Sequence, residues 1–143
     1  MRTVVAAVIE RSDRRILIGQ RRRTDSSPLK WEFPGGKVKL AETLEAALRR
    51  ELREELGAQL LRCHEIFRVR HSYAAAKDEL EIIFFAASIA ENLIAPAVFE
   101  TTAWVLPREL GDYDFLAANS QLIALLATGR IKPAEFLDRP EEG

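Results

Sequence analysis

Cysteine is nearly missing from this chain. Cys63 stands alone, so no internal disulfide can form and no cysteine-rich zinc site can be assembled, which fits a reducing compartment. Long apolar runs are missing too. Runs such as Val4 to Ile9 and Ile82 to Ala87 fall far short of the roughly 20 residues that a helix needs to cross a bilayer. No segment with the charged, apolar and small-residue order of a signal peptide opens the chain, and a cytoplasmic protein without a membrane partner is expected. Charge of one sign is also lacking: 21 basic and 22 acidic residues leave a net charge of −1, with a pI near 6.2. Nucleic acid polymers and anionic membranes reward a clustered positive excess, so neither is an expected partner. An anionic ligand has to be captured locally.

What is present suits one domain with a single core: 143 residues, 48% of them hydrophobic and 30% charged. Residues 1–132 are read as that domain and 133–143 as a polar, proline-bearing tail, in a monomer or homodimer. Thr3 to Ile9 is apolar and β-branched, Ser12-Asp13 favours a turn, and Ile16 to Ile18 resumes the apolar run, so the chain opens as a hairpin. The basic cluster Arg21, Arg22 and Arg23 follows, positioned to face solvent or a polyphosphate. After a loop from Thr24 to Pro28 comes Trp31-Glu32-Phe33-Pro34-Gly35-Gly36, where proline and two glycines preclude a regular helix and permit close backbone approach.

Thr43 to Leu56 is the clearest helix, with Thr43 as N-cap, Glu45 near the positive end and Gly57 as terminator. Ile66 to Val69, Leu80 to Ile89 and Thr101 to Leu106 read as strands, and Asn119 to Ala127 as an apolar helix stopped by Gly129.

The first helix carries an anomaly. At about 100° per residue, Ala47, Leu44, Leu48 and Leu52 form an apolar arc, and Arg49, Arg50 and Arg53 fall on the side predicted to be solvated. Glu51 and Glu55 lie inside the apolar arc, with Glu54 at its edge. A like-charge i,i+4 pair, near the negative end of a helix and partly desolvated, calls for a compensating positive charge. A hard divalent cation supplies it, since magnesium takes oxygen ligands and completes its shell with water and phosphate. Arginines supply it in the alternative reading, through pairs such as Arg50 with Glu54.

These residues sit in a recognisable pattern. Gly36, Glu42, Arg50, Glu51, Leu52, Glu54, Glu55, Gly57 and Ala58 occur at the spacings of the Nudix box, with Ala58 smaller than the usual aliphatic residue. The chain therefore resembles the Nudix hydrolases, and over most of its length is closest to their MutT-like nucleoside triphosphate branch. The resemblance implies an α/β fold: an α/β/α sandwich with a mixed sheet, in which the box forms a loop, a helix and a loop binding Mg2+ or Mn2+. It implies Glu51, Glu54 and Glu55 as metal ligands or water activators, Gly36 as a carbonyl donor near the metal, Arg50 as the residue orienting the carboxylates, and Glu42 as a structural partner of Arg50.

In the MutT-like branch the residue matching Arg21 contacts phosphate, the one matching Phe33 packs near the base, and the one matching Asn119 hydrogen-bonds a purine edge. Asn119 is also a natural N-cap for the terminal helix. Two departures stand out. The nucleotide-contacting arginine of that branch is replaced near Lys77-Asp78-Glu79, and Val98 falls where a further downstream glutamate is expected, leaving Glu100 as the nearest carboxylate and a candidate metal ligand. His64 and His71 are candidate general bases, although strand histidines more often meet solvent or backbone. Tyr73 stands in a region where dinucleoside polyphosphate hydrolases carry a tyrosine.

The resemblance thus implies Mg-dependent hydrolysis of a (deoxy)nucleoside triphosphate to monophosphate and pyrophosphate, including sanitation of oxidised nucleotides such as 8-oxo-dGTP. Alternatives are CTP or another pyrimidine triphosphate, a different nucleoside diphosphate derivative, or a non-catalytic nucleotide-binding sensor.

Overall fold

In the computed structural model, which describes residues 2–72, 79–90, 94–96 and 98–138, strands β1 (Arg2–Ile9), β2 (Ile16–Gln20), β3 (Trp31–Glu32) and β4 (Gly35–Lys37) precede helix α1 (Leu44–Leu56). Strands β5 (Leu60–Ser72), β6 (Glu79–Ile89) and β7 (Thr101–Val105) follow, then helices α2 (Ser120–Ala127) and α3 (Pro133–Leu137). Tyr73, Lys77 and Asp78 lie outside the described residues.

One sheet has the order β4-β1-β6-β5 and the other β3-β2-β7. The first is mixed: β1 runs parallel to β6, with Val4 opposite Ile82 and Ile9 opposite Ala87, and antiparallel to β4. Its two central strands are buried on both faces, which is why they read as continuous apolar runs rather than alternating ones. Val5, Ala7 and Ile9 with Ile83, Phe85 and Ala87 pack under Leu48, Leu52 and Leu56 of α1. The alternate residues, Ala6 and Val8 with Ile82 and Phe84, join Leu122 and Leu126 of α2 and the second sheet's Ile16, Ile18 and Val105. Helix, sheet and helix thus form the sandwich implied by the family resemblance.

The expected opening hairpin is not formed. Arg11 N–H donates to Arg15 O at 2.8 Å across a turn, but beyond the bridge between Glu10 and Ile16 the two strands diverge into different sheets. The turn chemistry was local, whereas pairing was decided by tertiary burial of both strands. Residues 133–137, placed in the polar tail, form α3, in which Pro133 is buried and Phe136 sits 5.6 Å from the ring of His64. Proline at the first helical position, where its missing N–H costs nothing, starts that helix.

Helix α1 keeps its predicted ends. Thr43 Oγ1 accepts the Ala46 N–H at 3.1 Å, and Gly57, at φ 63°, closes the helix in the left-handed conformation and donates to Arg53 O.

Candidate active site

The loop between β3 and α1 is pinned to the middle of β1. Ala7 N–H donates to Pro34 O at 2.7 Å, and Gly35 and Gly36 pair with Ala6 and Val5. Gly35 is sterically required, and Gly36 leaves room for the Glu51 carboxylate. A Cβ on Gly35 would collide with the Val5 carbonyl, and a Cβ on Gly36 would stand 2.5 Å from both carboxylate oxygens of Glu51. The helix therefore lays its first candidate ligand directly across the glycine backbone.

Arg50 organises the carboxylates around that contact. Its guanidinium donates to Glu42 at 2.8 and 3.0 Å, to Glu51 at 2.8 Å, to Glu54 at 3.3 Å and to the Lys37 carbonyl at 2.9 Å. The hydrogen bonds from Arg50, with one from the Lys39 N–H, hold Glu42 down at about 2, and Glu42 in turn raises Arg50 further. Glu42 is thus the structural anchor of Arg50 that the resemblance implies.

Arg50 is only 18% exposed, which corrects its placement on the solvated side. Arg49 is likewise drawn inward, donating to Leu60 O at 2.7 Å. A guanidinium at the end of a long stem reaches around the helix, so its terminus is not where a wheel puts its Cα.

Glu55 is different. It is half-buried, its Oε1 accepts the Gly35 N–H at 2.8 Å, and no described cation pairs with it. Burial, reinforced by Glu51, Glu32 and Glu54, pushes its carboxyl up to about 8, against the opposing pull of the Gly35 hydrogen bond. Arginine therefore compensates Glu51 and Glu42 but leaves Glu55 uncompensated.

Among the described residues no three His, Cys, Asp or Glu side chains converge as a ready-made metal cage. Arg50 draws Glu51 and Glu54 toward itself, and Glu54 is 55% exposed. The residues present nonetheless fit a hard divalent cation: the donor set is all oxygen, it spans adjoining turns of one helix, and one member is a desolvated carboxylate lacking a cation.

Glu55, Gly35 and Gly36 form one end of a cleft of about 300 Å³ that also takes in Arg21, Phe33 and Asn119. The structure thus brings together residues far apart in the chain. Arg21 donates to Ser26 O at 2.7 Å, to Ser26 Oγ at 3.0 Å and to both oxygens of Glu32 at 3.3 Å. Phe33 packs edge-on to Phe84 at 6.1 Å and lies 5.4 Å from Phe115. Asn119 is 5% exposed, stands at the N-cap position of α2 and makes no capping hydrogen bond with its side chain. Asn119 thus lines the cleft without capping its own helix.

Glu100 is not part of the cleft lining; it pairs with Arg23 at 3.2 Å just before β7. His64 and His71 lie on β5 and do not line the cleft either.

Glu32 is a cleft residue to which the sequence reading gave no role. Burial raises its carboxyl, with Arg21 opposing. A carboxylate between Trp31 and Phe33, preceded by an arginine one strand earlier, was the available signal.

No described helix is long and apolar enough to cross a membrane. The family model of the NUDIX domain matches residues 1–126. The nucleoside triphosphatase NudI of Salmonella newport is 33% identical over 135 residues, spanning 87% of this chain and 95% of that protein. Among solved structures, MutT from work on Aliivibrio salmonicida and Vibrio cholerae superposes with a TM-score of 0.75 at 26% identity, over 90% of this chain and 98% of that one. The solution structure of the E. coli ORF135 protein gives 0.73 at 30% identity, over 91% of each chain.

Proposed function

The chain belongs to the Nudix family, as a hydrolase of the MutT-like kind, and on that premise we propose that it hydrolyses a (deoxy)nucleoside triphosphate to the monophosphate and pyrophosphate with the help of Mg2+ or Mn2+. The observation that carries this reading is Glu55: a half-buried carboxylate with a raised pKa and no cation, hydrogen-bonded to a glycine loop at one end of the cleft. Perturbed carboxylates in clefts mark sites of proton transfer or metal binding.

Glu51, Glu54 and Glu55, with the Gly36 carbonyl, are the groups that would hold the cation. Glu100, the further candidate ligand, is paired with Arg23 and does not line the cleft. When bound, the ion supplies charge neutralisation on phosphate oxygens and a lowered pKa for water.

The rest belongs to the protein's own residues. Arg50 fixes Glu51 through the anchor of Glu42. Arg21, held by Ser26 and Glu32, is placed to receive phosphate oxygens. A carboxylate of the α1 set accepts the proton from the attacking water, the bond from water oxygen to phosphorus forms, and the bridging bond between the α- and β-phosphates breaks with its electron pair going to the leaving group, so that nucleoside monophosphate and pyrophosphate separate. Phe33 offers an apolar face for the base, and the Asn119 amide offers a donor and an acceptor to its edge.

The test is pyrophosphate release by the purified full chain with magnesium across a panel of nucleoside triphosphates that includes 8-oxo-dGTP and CTP. Turnover of at least one triphosphate, abolished by chelation, is the expected result. No turnover of any triphosphate, alongside turnover of dinucleoside polyphosphates or nucleotide sugars, overturns the assignment.

A further inference from the structure

A second recess, of about 370 Å³, shares no lining residue with the cleft. Arg14, Arg108 and Lys132 stand around it, and Leu126, Ile131 and Pro133 contribute its apolar surface. Glu10 is the one carboxylate in its wall.

The three cations come from three separate parts of the chain. Arg14 belongs to the turn between β1 and β2, Arg108 to the short 3-10 helix Pro107–Asp112, and Lys132 to the residue before α3. None of them makes an ion pair or side-chain hydrogen bond among the described residues, although the charge of Arg14 is felt by Glu10.

The arrangement around Asp13 sharpens this. Asp13 binds Arg11 at 2.8 Å and Arg15 at 3.3 Å, yet Arg14, between them, is left unpaired beside the recess. Arg14 is also held at φ 74°, a conformation that glycine or asparagine adopts with little strain and other residues less readily. Glu109, next to Arg108, accepts the Leu106 N–H at 2.8 Å and makes no ion pair with Arg108 among the described residues.

The negative end of α2 attracts cations, but it carries only about half a charge. With Glu10 it does not balance three. The surplus is positive and borders an apolar surface, which suits an anion with an apolar body, in a cavity of the size that small ligands occupy.

We propose that this recess is a second, non-catalytic binding site for a small organic phosphate of the nucleoside monophosphate type. The choice of a nucleotide rests on the proposed reaction, whose product belongs to that class, whereas the anion site itself does not.

The experiment is a titration of the 15N-labelled full chain, without magnesium, with adenosine monophosphate and separately with inorganic phosphate, read by amide shifts. Adenosine monophosphate is expected to move Thr128, Gly129 and Lys132 saturably, and inorganic phosphate to move the same amides with lower affinity. The combined variant R14S/R108S/K132S is expected to weaken that response at least roughly tenfold while pyrophosphate release from triphosphates is retained. No response at these amides, or one unchanged in the variant, overturns the proposal. Failure of the reaction reading shows itself separately, as absent pyrophosphate release with the recess response intact.

Discussion

Gly35 donates its backbone N–H to the Glu55 carboxylate at 2.8 Å, and it is the hydrogen bond that joins the glycine loop to the least compensated charge of α1. In the Glu55→Gln variant the amide oxygen can still accept that bond while the charge is gone. We expect kcat for pyrophosphate release to fall by about 10²- to 10⁴-fold, with the metal-free melting temperature at pH 8 unchanged or higher. Undiminished kcat in the folded variant contradicts a catalytic role.

The raised carboxyl of Glu55 also sets a pH dependence. Burial raises its pKa to about 8 in the folded chain from the ordinary carboxylate value of 4.5, so the folded state binds the proton more tightly over that interval. Stability from this group is therefore full below about 4.5 and is lost as pH rises toward 8, at up to roughly 1.4 kcal/mol per pH unit. Metal-free melting curves between pH 5 and 8 should show that decline, Glu55→Gln should flatten it, and magnesium should reduce it. Equal slopes for the wild-type and variant proteins would remove Glu55 as its source.

A Cβ at residue 36 would sit on the Glu51 carboxylate. The Gly36→Ala variant is expected to shift the Glu51 carboxylate from its place on the loop. We expect kcat to drop at least tenfold and the magnesium concentration for half-maximal rate to rise. Wild-type magnesium dependence in this variant would show that Glu51 need not lie across the loop.

Arg50 serves Glu42, Glu51, Glu54 and Lys37 O at once, a fan of contacts that a lysine ammonium cannot reproduce. The Arg50→Lys variant should lower kcat by roughly ten- to a hundredfold with little change in KM, because the triphosphate contacts stay in place. A change confined to KM would place Arg50 at the substrate instead.

Asn119→Ala removes one donor and one acceptor from a buried position. An unpaired polar group on the bound base costs about 1–3 kcal/mol, so kcat/KM for the preferred base should fall about five- to 150-fold while poorer substrates change little. Uniform loss across all bases would make Asn119 a structural residue.

The chemistry of α1 was legible because it is local. Thr43, Gly57 and the leucine spacing set the helix, and the glutamates could be placed on its face from periodicity alone. Partnerships across the chain were not legible. Nothing near β1 announces that β2 will leave for another sheet, since pairing depends on what each strand buries. Strand β5 was seen only over Ile66 to Val69 although it runs from Leu60 to Ser72; its bulges between Leu60 and Arg62 and between Glu65 and Phe67 break the period of two on which strand recognition rests. The cleft is a meeting of Arg21, Glu32, Phe33 and Asn119 with the glycine loop, and only family resemblance linked several of them beforehand.

Gly35 and Gly36 form the edge strand β4, held to the central strand β1, which is itself paired along its length with β6. The amides of β1 and β6 should exchange with solvent near the rate of global unfolding. Asn119, by contrast, ends a three-residue 3-10 turn, and Arg21 is tethered to the exposed Ser26. On the proposed reading, substitutions around Arg21 and Asn119 retune which nucleotide is accepted while the glycine loop stays fixed to β1.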